Sequence, residues 1–132
     1  MGILGNLFGT ELREANALIE KWENMMSRDY KSEWNQWLYK MDQVAEEMKL
    51  NELQKAKLTC REAAKYAGYS LKNRIGLTQY NEDEVVNTKG NTARLIVAAK
   101  AFNCYQKYTR ICSRFINVRK FDAKIERFGR GR

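Results

Sequence analysis

The chain of 132 residues contains no histidine and no proline, and it has only three cysteines. Without histidine it has no side chain that ordinarily exchanges a proton near neutral pH, and every catalytic or metal-binding arrangement built on imidazole is excluded. The absence of proline removes the residue that most often breaks a helix, which favours long helices. We therefore expect a protein that is not an enzyme and that uses no cofactor.

The three cysteines, Cys60, Cys104 and Cys112, are never separated by two residues as in zinc and redox motifs. Their odd number favours reduced, buried thiols, as in a protein of the cytoplasm. Acidic pairs and runs at 46–47 and 82–84 are the other candidates for binding a cation. Adjacent acids on a helix point in different directions, so we predict no metal site.

Long hydrophobic runs are also missing, since no apolar stretch approaches the roughly 18 residues that span a bilayer. The length suits one domain. We predict an apolar N-terminal arm over residues 1–9, a single helical domain over residues 10–128 and a basic, flexible tail over residues 129–132.

Apolar residues recur at steps of three and four, which is typical of helices. The periodicity is unbroken from residue 12 to residue 48 and predicts one long helix with Thr10 as its N-cap, although 27–29 could interrupt it. Asn51 and Gln54 have the form of a capping box before a second, alanine-rich helix. A last helix is expected from Asn91 to about Phe128, after a connector over residues 77–90. The predicted fold is an all-α bundle of three to four helices, at least two of them long, with a basic C-terminal helix.

Positive charge is concentrated in one third of the chain. Residues 89–132 contain twelve lysines and arginines but only two acids, Asp122 and Glu126, whereas residues 1–88 have a net charge of −2. Such a cationic segment lacks the acids that ordinarily pair with bases along a helix. A polyanion favours this arrangement, because each neutralised phosphate releases condensed counterions.

Four of these cations are spaced seven, three and four residues apart, and two asparagines fall in phase with them on the predicted last helix. A row of cations with amides between them suits a phosphate backbone. The predicted nucleic-acid-binding residues are Lys100, Asn103, Lys107, Arg110, Arg114, Asn117, Arg119, Lys120, Lys124, Arg127, Arg130 and Arg132.

Aromatic side chains could add base stacking beside these cations. Tyr105, Tyr108 and Phe115 lie on or near the apolar stripe of the last helix, which favours core packing, whereas Phe121 falls among the cations and is expected to be exposed. Apolar and aromatic residues of the near-neutral half are candidates for self-association, with core packing as the alternative for the tryptophans. These candidates are Ile3, Leu4, Leu7, Phe8, Trp22, Trp34 and Trp37.

The sequence therefore predicts a non-enzymatic, sequence-tolerant nucleic-acid-binding protein that assembles with copies of itself. A coat, nucleocapsid or ribonucleoprotein subunit fits, in the cytoplasm or within a virion or nucleoprotein particle. DNA and RNA are equally compatible, because a phosphate backbone is common to both. The alternative is a small helical inhibitor or adaptor, such as a viral anti-defence protein, that docks its basic face on an acidic protein surface. Membrane attachment is a third, less favoured interpretation.

Overall fold

Five helices make up the part of the protein that its computed structural model describes, namely residues 3–74 and 92–130, with side chains for 9–72 and 93–128. No strand occurs within these residues, so the all-α class is confirmed. The helices outnumber the three or four expected, because both predicted long helices are broken. They are α1 (Ile3–Met25), α2 (Arg28–Glu47), α3 (Glu52–Arg74), α4 (Thr92–Cys112) and α5 (Val118–Arg130). The predicted connector over residues 77–90 lies outside the described residues.

The first break separates α1 from α2, so the continuous helix favoured by the apolar periodicity does not form. The break falls at the interruption over residues 27–29 that the sequence also allowed. Ser27 has an extended backbone, with ψ at 166°, and its N–H donates to Ser70 Oγ on α3 at 2.7 Å. That N–H therefore bonds to a side chain of α3 and does not continue the hydrogen-bond ladder of α1. The prediction of Thr10 as an N-cap is also wrong, because α1 already begins at Ile3. The backbone from Ile3 to Gly9 is thus helical.

The second break, at residues 113–117, divides the predicted last helix into α4 and α5. Asn117 Oδ1 accepts the backbone N–H of Lys120 at 3.1 Å, which satisfies one of the unpaired donors at the start of α5. Asn117 is therefore an N-cap and not part of a continuous polar stripe. The C-terminal end of α5 is Arg130, two residues beyond the expected end at Phe128.

The turn between α2 and α3 is fixed from both sides. The Asn51–Gln54 capping box is confirmed, since Gln54 N–H donates to Asn51 Oδ1 at 2.8 Å and Asn51 N–H donates to Gln54 Oε1 at 3.0 Å. On the other side, Lys49 has a positive φ of 59°, and Leu50 N–H donates to Ala45 O at 2.9 Å. This is a Schellman ending with lysine at the position that usually holds glycine.

Helix α3 occupies the centre of the bundle. It packs against α1, α2 and most extensively α4, as its predicted alanine face allows. The small side chains at Ala63, Ala64 and Ala67 are fully buried. Gly68 continues this face, and a Cβ at that position would lie 2.9 Å from the Phe102 ring of α4.

Replacing Gly68 with alanine should lower the free energy of unfolding by about 1–2 kcal/mol, because the clash with Phe102 exceeds the gain in helix propensity. Urea unfolding followed by circular dichroism measures the change. Gly9→Ala is the matched control: a Cβ there meets no atom within 4 Å, so it should stabilise α1 by up to about 1 kcal/mol. A Gly68→Ala variant as stable as the wild type would contradict the close α3–α4 approach.

Candidate nucleic-acid interface

The cationic row predicted from the sequence forms an exposed face of α4. Lys100, Asn103, Lys107 and Arg110 are all exposed, and their spacing places them on one side of the helix. None of the three cations forms an ion pair with another described residue, and the Arg110 guanidinium also lies near the negative end of the helix dipole. This face is therefore hydrated and available to an anion.

Beyond α4 the predicted row changes direction. Arg114 is exposed but lies in the turn after Cys112, where its N–H donates to Ile111 O at 3.2 Å. On α5, Arg119, Lys120 and Arg127 are exposed, whereas Lys124 is half-buried and pairs with Glu47 of α2. Of the remaining candidates, the side chain of Arg130 and the whole of Arg132 lie outside the described residues.

Helix α5 is joined to the centre of the bundle by a buried arginine. Arg61 of α3 is 1% exposed, and its guanidinium donates to both carboxylate oxygens of Asp122 on α5, at 2.6 and 3.4 Å. It also lies 3.5 Å from the Glu62 carboxylate and over the Tyr105 ring. A guanidinium can be buried only when charges and hydrogen bonds replace its water, so Asp122 couples the position of α5 to α3.

Burial and neighbouring charges have opposite effects on the pKa values of this cluster. Burial alone would lower the pKa of Arg61, but the Asp122 hydrogen bond and the Glu62 charge outweigh it and raise that pKa. Burial raises the pKa of Glu62, and the opposing attractions of Lys65 and Arg61 are too weak to cancel it. Glu62 is therefore the member of the cluster that costs free energy when ionised at neutral pH.

Two further contacts hold α5 against α2. The Phe121 ring lies 6.4 Å from the Trp37 ring in an edge-to-face arrangement, and the Phe128 ring packs similarly against Tyr39. The Lys124 hydrogen bond lowers the pKa of Glu47. Part of the positive charge predicted for ligand binding thus serves helix docking instead.

Phe121, expected among the cations, has no exposed surface at all. The prediction of an exposed aromatic there is wrong, because it extrapolated helical phase across the break at residues 113–117. Tyr108 is buried, and Tyr105 and Phe115 are half-buried and packed against the core, in agreement with core packing.

The three tryptophans also lie in the core of the single chain. Trp34 and Trp37 stack with centroids 5.1 Å apart, and Trp22 is 2% exposed. In this conformation they have almost no surface for a second copy to contact, so the core alternative is the correct one. The side chains of the other self-association candidates, Ile3, Leu4, Leu7 and Phe8, lie outside the described residues.

Sequence reasoning missed four exposed residues that could add to a binding surface. Ile96 lies on the exposed face of α4 one turn before Lys100 and is 46% exposed. Lys21 of α1 is exposed, with its ammonium 4.7 Å from the centroid of the Trp22 ring. Tyr39 and Tyr69 are the other exposed large apolar side chains among the described residues. The position of Ile96 on the exposed face could have been predicted from its helical spacing to Lys100, whereas the positions of the other three depend on tertiary contacts.

Comparison of the chain with protein-family models, with curated protein sequences and with solved structures finds no match. Among the described residues, no group of three or more Cys, Asp or Glu side chains is placed to hold a metal ion. No helix in the described part of the chain is both long and apolar enough to cross a membrane. The interface must therefore be judged from its own chemistry.

Asp122→Asn should destabilise the protein by about 2 kcal/mol, because it removes the negative charge that pairs with the buried Arg61 guanidinium. The loss is moderate because the Asp122 side chain is itself half exposed. Urea unfolding monitored by tryptophan fluorescence tests this. Asp42→Asn is the control: Asp42 is exposed on α2 and pairs with no described cation, so its change should stay within about 0.5 kcal/mol. Equal effects of the two substitutions would show that Asp122 does not anchor α5.

Glu62→Gln should raise the melting temperature at pH 7–8 but leave it unchanged at low pH. Because the folded-state pKa of Glu62 is raised above its ordinary value of 4.5, the wild type gains stability as pH falls through the folded-state value, and the gain is complete below about 4.5. Glutamine is uncharged throughout, so the variant lacks this dependence. Thermal unfolding from pH 3 to pH 8 measures the difference. A variant less stable than the wild type at pH 8 would show that ionised Glu62 stabilises the fold instead of destabilising it.

Proposed function

We propose that the protein is a non-enzymatic nucleic-acid-binding subunit whose α4 face and neighbouring α5 cations neutralise backbone phosphates without regard to base sequence. The observation that supports this most directly is the exposure of Lys100, Lys107 and Arg110 on one helix face without an ion pair to any other described residue. Cations that served only the fold would pair internally, as Lys57 does with Glu11 at 3.4 Å. Free cations in a row are the usual form of phosphate contact.

Backbone-directed binding also agrees with the shape of the face. Its side chains are lysine, arginine and asparagine, all of which donate to phosphate or sugar oxygens. In the described residues the neighbouring elements are long helices and not the short recognition unit of a helix-turn-helix. The expected selectivity is therefore low between sequences and strongly dependent on salt.

Self-assembly on nucleic acid is the second part of this proposal. With the tryptophans in the core, the remaining candidates are Ile3, Leu4, Leu7 and Phe8, together with the exposed side chains of Tyr39, Tyr69 and Ile96. Light scattering during titration with nucleic acid tests it, with growth in particle size as the expected outcome. Particles that stay at the size of one chain on saturated nucleic acid would restrict the proposal to binding alone.

Lys107→Glu combined with Arg110→Glu should weaken binding to duplex DNA and RNA by at least about tenfold at low salt. It should also reduce the slope of log affinity against log salt by about two, because two phosphate contacts are lost. Fluorescence anisotropy with two unrelated sequences measures both quantities. The loss should be equal for the two sequences, since phosphates carry no sequence information.

Arg28→Glu combined with Lys31→Glu gives the matched control. Both residues are exposed at the start of α2 and pair with no described acid, so the net charge changes by the same amount away from the α4 face. Equal losses in the two double variants would mean that only overall charge matters. No binding by the wild type at low salt would reject the proposal and favour an acidic protein partner.

A further inference from the structure

A cleft lies between the first turns of α2 and the middle of α3, and it has a volume of about 170 Å³. At roughly 30 Å³ for each water in the liquid, it has room for several waters or one small molecule, and it is smaller than the roughly 300 Å³ of a pocket for drug-sized ligands. Spacings of three and four residues place its lining on one face of each helix. The described lining residues are Tyr30, Glu33, Glu62, Lys65, Tyr66 and Tyr69.

The aromatic part of this lining is three tyrosines. The Tyr66 ring is half-buried, with its centroid 5.4 Å from that of the core residue Trp34. Tyr69 is 41% exposed and packs edge-on against Phe102. Lys72 Nζ lies 4.9 Å from the Tyr69 centroid, within the roughly 6 Å at which a ring attracts a cation. Rings of this kind also cover the methyl groups of a substituted ammonium, so the lining suits such a ligand.

The acidic part is two carboxylates that differ in burial. Glu33 of α2 is exposed, whereas Glu62 of α3 is 7% exposed. The ion pairs of Glu62 with Arg61 and Lys65 measure 3.5 and 3.7 Å, which is longer than the roughly 2.7–2.9 Å of a charge-assisted hydrogen bond. The negative charge of this buried carboxylate is therefore only partly balanced, in agreement with the pKa that burial raises.

The two carboxylates act on the same part of the cleft. Burial, followed by the charges of Glu62 and Glu33, raises the pKa of Tyr66 to about 12. The tyrosine thus stays neutral at physiological pH, and both helices contribute negative potential at its hydroxyl. With Lys65 as the one cation of the described lining, the lining has a net charge of −1.

The composition of the lining decides between kinds of cation. Two carboxylates are fewer than a hard metal ion requires, and no described group of three or more Cys, Asp or Glu is placed to hold one. Rings and carboxylates together are the usual surroundings of a quaternary ammonium group. The chemistry therefore favours an organic cation.

We propose that this cleft binds a small soluble molecule of the size of choline, with its methylated ammonium group between the tyrosine rings and the two glutamates. Methylation spreads the charge over an apolar surface, which the rings can cover. Lys65 adds one hydrogen-bond donor, which suits a ligand with a hydroxyl at its other end. All the described lining residues belong to α2 and α3, so the proposal does not depend on nucleic-acid binding by the α4 face.

The test titrates the full chain with choline chloride, against sodium chloride at equal ionic strength, and follows amide and indole signals by NMR. Saturable shifts with a Kd of about 1 mM or lower are expected near residues 30–33 and 62–69 and at the Trp34 indole. The neutral analogue 3,3-dimethylbutanol has the shape of choline without its charge and should bind at least about tenfold more weakly. Equal binding of the analogue, or no saturable shift with choline, would overturn the proposal.

Tyr69→Leu and Tyr69→Phe form a matched pair at an exposed position, where both should fold. Leucine keeps apolar volume without the ring and should weaken choline binding at least about threefold, whereas phenylalanine should retain the wild-type affinity. Glu33→Gln should also weaken binding, while Glu46→Gln, about 20 Å further along α2 at roughly 1.5 Å per residue, should not. Unchanged affinity in Tyr69→Leu, or equal losses in the two glutamine variants, would contradict the site.

Sedimentation with phosphatidylcholine vesicles separates a soluble ligand from the same chemistry on a lipid head group. The protein should stay in the supernatant, because the proposed site takes up a whole free molecule. Co-sedimentation that Tyr69→Leu abolishes would overturn the assignment to a soluble molecule and identify the lipid head group as the ligand.

Discussion

The arrangement of this bundle depends on the carboxylates that balance the charge of the buried Arg61 guanidinium. A buried arginine without partners would cost several kcal/mol, and the position is 1% exposed. Asp122 supplies the hydrogen bonds and Glu62 an additional charge, while Arg61 Nε has no partner among the described residues. Because Asp122 belongs to α5 and Arg61 to the central helix, this interaction relates the C-terminal helix to the core. The Phe121–Trp37 ring contact packs the same helix against α2.

The same cluster explains why the last helix cannot be continuous with α4. A straight extension of α4 would keep the phase that places Phe121 among the cations and would carry residue 122 away from α3. The turn at residues 113–117 redirects the chain so that Phe121 and Asp122 both face the bundle, and Asn117 supplies the new N-cap. The burial of one aromatic ring and the pairing of one carboxylate are therefore two results of a single break.

Local sequence patterns were sufficient to predict the features that depend only on residues close together in the chain. The Asn51–Gln54 capping box, the alanine face of α3 and the exposure of Lys100, Lys107 and Arg110 follow from spacing alone. The residues at 27–29 indicated where the first helix could be interrupted, whereas the break at 113–117 could not be predicted in this way, because a short turn can preserve apolar phase on both sides. At Ser27 the deciding partner is Ser70, 43 residues away along the chain.

The division of the cations between internal and external roles bears on how the proposed function would operate. Arg61, Lys65 and Lys124 are engaged by carboxylates of the chain, so they add little to an external field. From Lys100 to Arg110 the free row covers about 15 Å at the helical rise of roughly 1.5 Å per residue. That length matches only four or five base pairs, and three cations neutralise few phosphates. Binding by one chain would therefore be weak at physiological salt, and occupancy of a long nucleic acid would require the cations of α5 or several copies side by side. This is the physical reason for joining assembly to binding in a single proposal.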